Sequence, residues 1–487
     1  MDYKEIGFKA GLEIHQQLDT HKLFCNCQSV VTEDADYSFE RFLRPTQSEL
    51  GDIDKAALAE AKKNRRFHYT ASNESTCLVE ADEEPPHSAN QDAIDICLTI
   101  AALLNAKPVD EIQFMRKIVI DGSNTGGFQR TALVAMGGKI DDVGIQTISL
   151  EEDAARKLEE EGKLVNYGLD RLGIPLIEIA TDPDIKSPEQ AREIAERIGQ
   201  LLQATGRVKR GLGTIRQDIN ISVSKGARVE IKGVQSLSSI SKVAENEVKR
   251  QLGLIKLKKI VQNEVRRALP DDTTEYMRPL PGAARMYPET DVPPVRITPA
   301  YLQRIKKNLP ERPEERDKRF ITEYKLNKEQ TKQILSSGYE NDFEKLVKQF
   351  PTHKNTILRV LLNTLSELEK ENISMQNITM EMLTDVFSAL SKDKYSKEAI
   401  PEILRYLTKN INDSVEDAVK ACELGITDTM EIEEIARKVV SERIDFVKKR
   451  GLGSLGPLMG VVMKQLRGKA DGKLISKILK QEIERVI

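Results

Sequence analysis

The stretch AGLEIHQQL, residues 10–18, alternates apolar and polar side chains. On an extended strand Leu12 and Ile14 face one way, and Glu13 and His15 face the other. Three later stretches repeat the pattern. In IQTISLEED (145–153) Thr147, Ser149 and Glu151 oppose Ile148 and Leu150. In RQDINISVS (216–224) Asp218, Asn220 and Ser222 oppose Ile219, Ile221 and Val223. In RVEIKGV (228–234) Arg228, Glu230 and Lys232 oppose Val229 and Ile231. KIVIDG and FQRTALVAM flank SNTGG (123–127), which predicts a hairpin with a longer glycine-containing loop.

Helices interrupt these strands. SPEQAREIAERIGQLLQATG (187–206) starts with Ser187 as N-cap, Pro188 in the first turn and Gln190 completing a capping box. Ile194, Ile198 and Leu201 form its apolar stripe, and Gly206 closes it. Strands and helices in this irregular order predict an α+β domain rather than a doubly wound parallel one. The proline-rich segment 277–299 marks a boundary, after which the apolar period becomes 3.6 and stays there. A break near KNINDS (409–414) divides the helical half. The expected domains are 1–296, 297–410 and 411–487.

A chain of 487 residues, 39% apolar, exceeds what one core accommodates. Its mean hydropathy of −0.43 fits a soluble protein. AIDICLTIAALLNA (93–106) is too short to span a bilayer and contains Asp95. The N-terminus lacks a basic and apolar leader, so a cytoplasmic protein without membrane attachment is expected. Five cysteines do not make a disulfide framework. Cys25 and Cys27 have a spacing found in zinc sites, with Cys77 a candidate third ligand. No CxxC pair follows, the ligand count stays incomplete, and the thiols read as buried or idle. From Lys448 to Ile487 ten bases stand against three acids, a net +7 on a chain of net −3. This suits either a polyanionic partner or a solvated helical face.

Familiar nucleotide motifs are missing. There is no GxxxxGK[ST], HExxH or GxSxG, and GLGSLG (451–456) follows a helical segment where a dinucleotide fold needs a strand. What remains is the set of strand faces. Magnesium takes oxygen ligands, commonly one or two carboxylates with waters and substrate phosphates. Gathered on one face, Glu13, His15, Glu151, Asp218 and Glu230 suit such ions and ATP. Alternation on an ordinary solvent-facing sheet looks the same strand by strand, and spacing alone does not bring the strands together.

GLEIHQQL with LFCNC, SLEEDA, GIPLIEIATDPDI and RQDINIS with VEIKG occur in the order of the tRNA-dependent amidotransferase B/E family. The resemblance covers essentially the whole chain. EADEEPPHSANQDAI, IDGSNTGGFQRT and EYMRPLPGAARMYPETDVPP resemble the archaeal E type, not the bacterial B type. It implies a cradle-like, mainly antiparallel catalytic domain, then an all-α domain and a small helical tail. It also implies ATP and Mg²⁺ as cofactors, phosphorylation of the γ-carboxylate of Glu on tRNA(Gln), and displacement of phosphate by ammonia. The partners implied are tRNA(Gln) and the asparaginase-like glutaminase of the D type, in an α2β2 heterotetramer.

The same resemblance assigns Glu13, His15, Glu151 or Glu152, Asp218 and Glu230 to the catalytic metal site, with alternation favouring Glu151 of the pair. Arg116, Lys117, Gly126, Gly127 and Arg130 are the candidates for ATP contacts. Arg450, Lys464, Lys469 and Lys473 are those for tRNA. Two departures stand out. The bacterial hairpin lysine has no counterpart in NTGGFQ. The E-type inserted domain, similar to one in bacterial-type aspartyl-tRNA synthetases, has no room where the chain runs through 252–265.

Overall fold

The computed structural model describes residues 1–487 apart from 48–50, 282–285, 372, 425–428 and 466–471. The chain divides into two compact units, Met1–Glu315 and Arg316–Ile487. Among the described residues no helix is long and apolar enough to cross a membrane.

The first unit is built on a twelve-stranded sheet. Its ten main strands are β1 (Lys9–Gln17), β2 (Phe114–Ile118), β3 (Phe128–Met136), β4 (Val143–Glu152), β5 (Pro175–Thr181), β6 (Ile215–Ser222), β7 (Val229–Val234), β8 (Glu264–Ala268), β9 (Thr274–Pro279) and β10 (Met286–Pro288). They lie in the order β9-β8-β7-β6-β1-β5-β4-β3-β2-β10. All neighbouring pairs are antiparallel except β7 and β8. Those two are parallel because helix α3 (Leu237–Lys256) connects them, the crossover a parallel pair requires. The expected hairpin forms as β2 and β3, with Ile118 opposite Phe128.

One face of this sheet is apolar. Leu12, Ile14, Ile148, Leu150, Ile177, Ile179, Ile219, Ile221, Val229 and Ile231 are buried in a single core with the apolar sides of α1 (Gln91–Leu103), α2 (Pro188–Ala204) and α3. Burying each such side chain contributes about 1.5–3 kcal/mol, so the β1 register is strongly fixed. A one-residue slip would put Glu13 and His15 into that core. Ser187 caps α2 by accepting from the Gln190 amide at 3.1 Å. The Gln190 side chain accepts from Lys186 instead of Ser187, so the expected box is shifted by one residue. A four-stranded sheet (Tyr37–Arg41, Arg66–Ala71, Arg156–Glu161, Leu164–Gly168) forms a separate side wall with its own aromatic core.

The packing moves both expected boundaries. Helix Pro299–Lys307 belongs with the first unit: the Tyr301 hydroxyl donates to Asp95 at 2.5 Å, and Arg304 donates to it at 3.0 Å. These bonds account for the acid in an otherwise apolar helix. In the second unit one core runs from Phe320 to Leu424 and includes Val415 and Ala418 of helix Val415–Ala421. A second core starts at Ile432. The break between helical clusters therefore lies after Leu424, not at 410/411. Around 252–265 the chain leaves α3 and enters β8 through a short connection in which Leu257 and Ile260 are exposed.

Candidate active site

The polar face of the sheet collects side chains from seven consecutive strands. Register places Glu13 opposite Asp218 of β6, and His15 opposite Glu178 of β5. Glu151 of β4 lies opposite Leu176 and Thr131, which carries the row on to β3. Two groups of possible ligands result: His15, Glu151 and Glu178 in one, and Glu13, Asp218 and Glu230 in the other. Within each group the ligand atoms lie within 4.8 Å of one another. Glu13 and His15 are two residues apart on one strand, a rise of about 7 Å, so each anchors its own group.

Hydrogen bonds fix the side chains. His15 Nε2 is 3.1 Å from Glu178 Oε2. Asn220 Nδ2 donates to Glu13 Oε1 at 2.9 Å. Lys232 Nζ lies 2.6 Å from both Asp218 Oδ2 and Glu230 Oε1. Lys117 Nζ donates to Glu151 Oε1 at 2.5 Å, and Gln129 donates to its other oxygen at 3.2 Å. Beneath one end, Asp153 is 1% exposed and accepts from Gln17 and Arg216 at 2.7 Å each.

The titration of these groups follows from that wiring. Burial raises the Glu13 carboxyl, and the charges of Glu178, Glu230 and Asp218 add to the shift while Lys232 opposes it. Burial alone would discharge His15, but the bond to Glu178 and the nearby Glu151 and Asp218 outweigh it and raise the imidazole above its ordinary value. Burial works against Glu178 too, yet His15 and the lysine fields hold its carboxyl well below the usual range. For Lys232, Asp218 and Glu230 overcome the burial penalty and keep the ammonium charged. Glu13, Glu151, Glu178, Asp218 and Glu230 thus face His15, Lys117 and Lys232, which leaves two negative charges in excess when all are ionised. Hard carboxylate oxygens in that charge state fit Mg²⁺, with the all-carboxylate group the better match and the histidine group the softer one.

Not every candidate joins this face. Glu151 does. Glu152 points elsewhere: it accepts the Arg130 amide at 2.8 Å, and its burial raises its carboxyl. Lys117 joins through Glu151. Arg116 and Arg130 are both bonded to Glu289, at 2.7 and 2.8 Å, and both stack near the Phe128 ring. Gly126 and Gly127 sit in the β2–β3 loop, where a Cβ on Gly126 would meet the Asp82 carboxylate at 3.0 Å and Gly127 has φ +76°. Gly126 lines a small cavity together with Arg130, Glu152 and Glu80.

Glu178, Lys232, Asn220 and Glu289 are missing from the sequence-based set. Glu178 carries a signal: it alternates with Ile177 and Ile179 as Glu13 does with Leu12 and Ile14. Of the tail candidates, Arg450 and Lys464 are exposed on helices Ile444–Arg450 and Leu455–Gln465. Lys469 and the Lys473 side chain lie outside the described residues. GLGSLG follows a helix, and Gly451 (φ +56°) ends it.

Residues 8–303 match the family described as the GatB/GatE catalytic domain, and residues 341–483 match the GatB domain. Over 627 aligned positions the chain is 38% identical to the E-type subunit of glutamyl-tRNA(Gln) amidotransferase from Methanococcus maripaludis, with 100% of this chain and 99% of that protein covered. It is 40% identical to the E-type protein of Thermococcus gammatolerans (100% and 99% covered) and 39% identical to that of Methanocaldococcus jannaschii (100% of both). The 627 positions of the first alignment against 487 residues here leave 140 positions without a residue in this chain.

Proposed function

The chain belongs to the GatB/GatE family, and on that premise we propose that it is the ATP-using subunit of a Glu-tRNA(Gln) amidotransferase. In this reading it phosphorylates the γ-carboxylate of Glu on tRNA(Gln) and admits ammonia to displace the phosphate. The observation that carries the proposal is the pair of ligand groups side by side on one sheet face. A carboxylate is a poor electrophile, so a phosphate leaving group is what the amide-forming step needs. Mg²⁺ would offset the charge of the triphosphate. Glu13, Asp218 and Glu230 would hold one ion, and His15, Glu151 and Glu178 a second.

The chain's own residues have defined parts in this reading. Lys117 and Lys232 offset the mutual repulsion of the carboxylates and present positive charge where triphosphate oxygens would arrive. One of these carboxylates is the candidate to orient ammonia or take a proton from ammonium. Ammonia would come from a separate asparaginase-like glutaminase of the D type, in an α2β2 assembly. The exposed bases of the C-terminal helices would engage tRNA phosphates with salt-dependent affinity.

The test is ATP hydrolysis by the chain with its glutaminase partner. Turnover stimulated by Glu-tRNA(Gln) and lost in Glu13→Ala supports the reading; turnover unchanged in both Glu13→Ala and Asp218→Ala overturns the site. A second substrate, Asp-tRNA(Asn), separates this activity from the broader bacterial type, because conversion of that substrate would contradict the Glu-specific assignment.

A further inference from the structure

Helix α3 runs out into a turn rich in positive charge. From Val248 to Asn263 the chain carries Lys249, Arg250, Lys256, Lys258 and Lys259 and no acid. The first two are answered along the helix, Lys249 by Glu245 and Arg250 by Glu247. The next acid in the chain, Glu264, is held by Arg266 at 2.8 Å and Arg250 at 3.3 Å. Lys256, Lys258 and Lys259 are exposed and form no ion pair among the described residues. Interleaved with them, Leu257 is 67% exposed and Ile260 87%.

The backbone of this turn is a helix cap carrying an unfavourable residue. Lys258 N–H donates to the Ile255 carbonyl and Lys259 N–H to the Leu254 carbonyl, both at 2.9 Å, the paired bonds of a Schellman cap. The position after the cap residue takes a left-handed conformation, where glycine is the usual occupant because it has no Cβ. Here it is Lys258, at φ +56°. The helix dipole accounts for Lys256 in the last turn. It does not account for a lysine in a strained position beyond the helix, nor for two large apolar side chains left in solvent.

The turn is wired to the acidic face. The Arg228 amide donates to Asn263 Oδ1 at 3.0 Å, and Arg228 Nε donates to Asn220 Oδ1 at 3.0 Å. Asn220 in turn donates to Glu13 at 2.9 Å. Strand register puts Glu264 opposite Val229 and Val265 opposite Glu230 of the Glu13–Asp218–Glu230 group. Ile260 precedes Glu264 by four residues, a span of at most about 14 Å. We propose that Lys256, Lys258 and Lys259 are a tRNA contact on the rim of the first unit, gripping phosphates of the acceptor end while Leu257 and Ile260 pack on the sugar and base surface between them. Phosphate contacts position an RNA without reading its sequence, and lysines without acid neighbours suit that task. The inference rests on the functional reading above: a tRNA whose aminoacyl end reaches the Glu13 group brings its acceptor phosphates over this rim.

The experiment measures binding of uncharged tRNA(Gln) transcript across salt concentrations, with the full-length chain in complex with its glutaminase. The triple variant Lys256→Gln/Lys258→Gln/Lys259→Gln should bind about tenfold more weakly at moderate salt and lower the slope of log affinity against log salt by about two to three. Ile260→Ser should weaken binding a few-fold without changing the slope. Lys258→Gly should lower the slope by about one while its melting temperature equals or exceeds that of the wild type, since glycine relieves the strained turn. A hairpin carrying only the acceptor arm should show the triple variant's loss, and an anticodon-arm hairpin should not. If the triple variant does not fold, Lys258→Gly decides. The proposal falls if affinity and slope survive the triple variant, or if the anticodon-arm hairpin is affected equally. It also falls if Lys258→Gly lowers the melting temperature and leaves the slope unchanged, which would make the lysine a purely structural cap. A triple variant that sheds the glutaminase but still binds tRNA would make this surface a protein interface instead. Those outcomes leave the functional proposal standing, whereas a wild type that binds no tRNA at any salt overturns both.

Discussion

The polar sheet face and the C-terminal helices both concentrate charge, but they hold it differently. On the sheet each charged group is half-buried or buried and bonded to a named neighbour, as Lys232 is to Asp218 and Glu230. On the tail Lys448, Lys449, Arg450 and Lys464 stand exposed on short helices. A geometric site discriminates among ligands by distance and coordination. An exposed basic patch attracts any polyanion, and salt screens it. The two regions should therefore answer differently to mutation, pH and ionic strength.

The largest contrast is expected from Asp218→Asn. It removes a proposed ligand and a charged partner of Lys232 at once, so tRNA-stimulated ATP turnover should fall by about 10²–10³, on the scale of losing one preorganised electrostatic interaction. Paired charge reversal of Arg450 and Lys464 should leave turnover at saturating tRNA within about twofold, since as proposed tRNA contacts they would act on encounter and affinity. Equal losses of maximal turnover from both would erase the distinction between the regions. Steady-state rates at saturating ATP and tRNA measure it.

Next comes stability. Asp153 is buried against Arg216, Arg171 and Gln17, and although burial opposes its charge, the two guanidiniums hold its carboxyl below the ordinary value of 3.8. Asp153→Ala leaves Arg216 unpaired beneath the site and should cost about 3–5 kcal/mol in urea unfolding of the first unit. Because the folded value is depressed, the Asp153 contribution is full above pH 3.8 and is lost as pH falls through that lower value. No comparable single site is expected in the exposed basic surface of the tail.

How much of this is legible in the sequence follows the same division. Alternation gives the inward and outward sides of β1, β4, β6 and β7 because side-chain direction has a strict period of two. It also separates Glu151 from Glu152. Alternation does not say which strands are neighbours, since β1 sits between β5 and β6, about 160 and 200 residues further along. That convergence comes only from the family resemblance. Glu178 obeys the same alternation inside the GIPLIEIATDPDI motif yet is not among the residues the resemblance assigns to the metal site, while Glu289 lies in a proline-rich stretch with no period to read. The grouping of Cys25, Cys27 and Cys77 with Glu80 is made by loops, where turn geometry sets direction and no periodicity operates. The boundary after Leu424 is hidden for another reason: helices on either side share one apolar period, and only packing shows which core receives Val415 and Ala418.

A smaller effect should appear in pH dependence. His15 has a raised folded pKa, so its contribution is full below its ordinary 6.5 and is lost as pH rises through the raised value. Glu178 is depressed from 4.5 to about 2, so its contribution is full above 4.5 and is lost as pH falls toward 2. Both are present between about pH 4.5 and 6.5. As pH rises through the raised His15 value the wild type should lose stability relative to Glu178→Gln, in which the imidazole keeps only the Glu151 and Asp218 charges. Urea midpoints from about pH 5 to 9 test this. Parallel curves for the two proteins would show that the pair does not couple as the 3.1 Å geometry requires.

The smallest effect sharpens the other side of the comparison. Alanine at Arg450 and at Lys464 should each weaken tRNA binding only a few-fold, yet lower the slope of log affinity against log salt by about one for each phosphate no longer engaged. Glu13→Ala should leave that slope unchanged, because its carboxylate meets no phosphate backbone. Truncation after Leu424 should flatten the slope far more than either alanine while leaving both the sheet core and the Phe320–Leu424 core complete. A full-strength salt slope in the truncated chain would move the tRNA interface off the tail and onto the first unit. The charge asymmetry of +7 would then be what the composition alone allows, a solvated helical face.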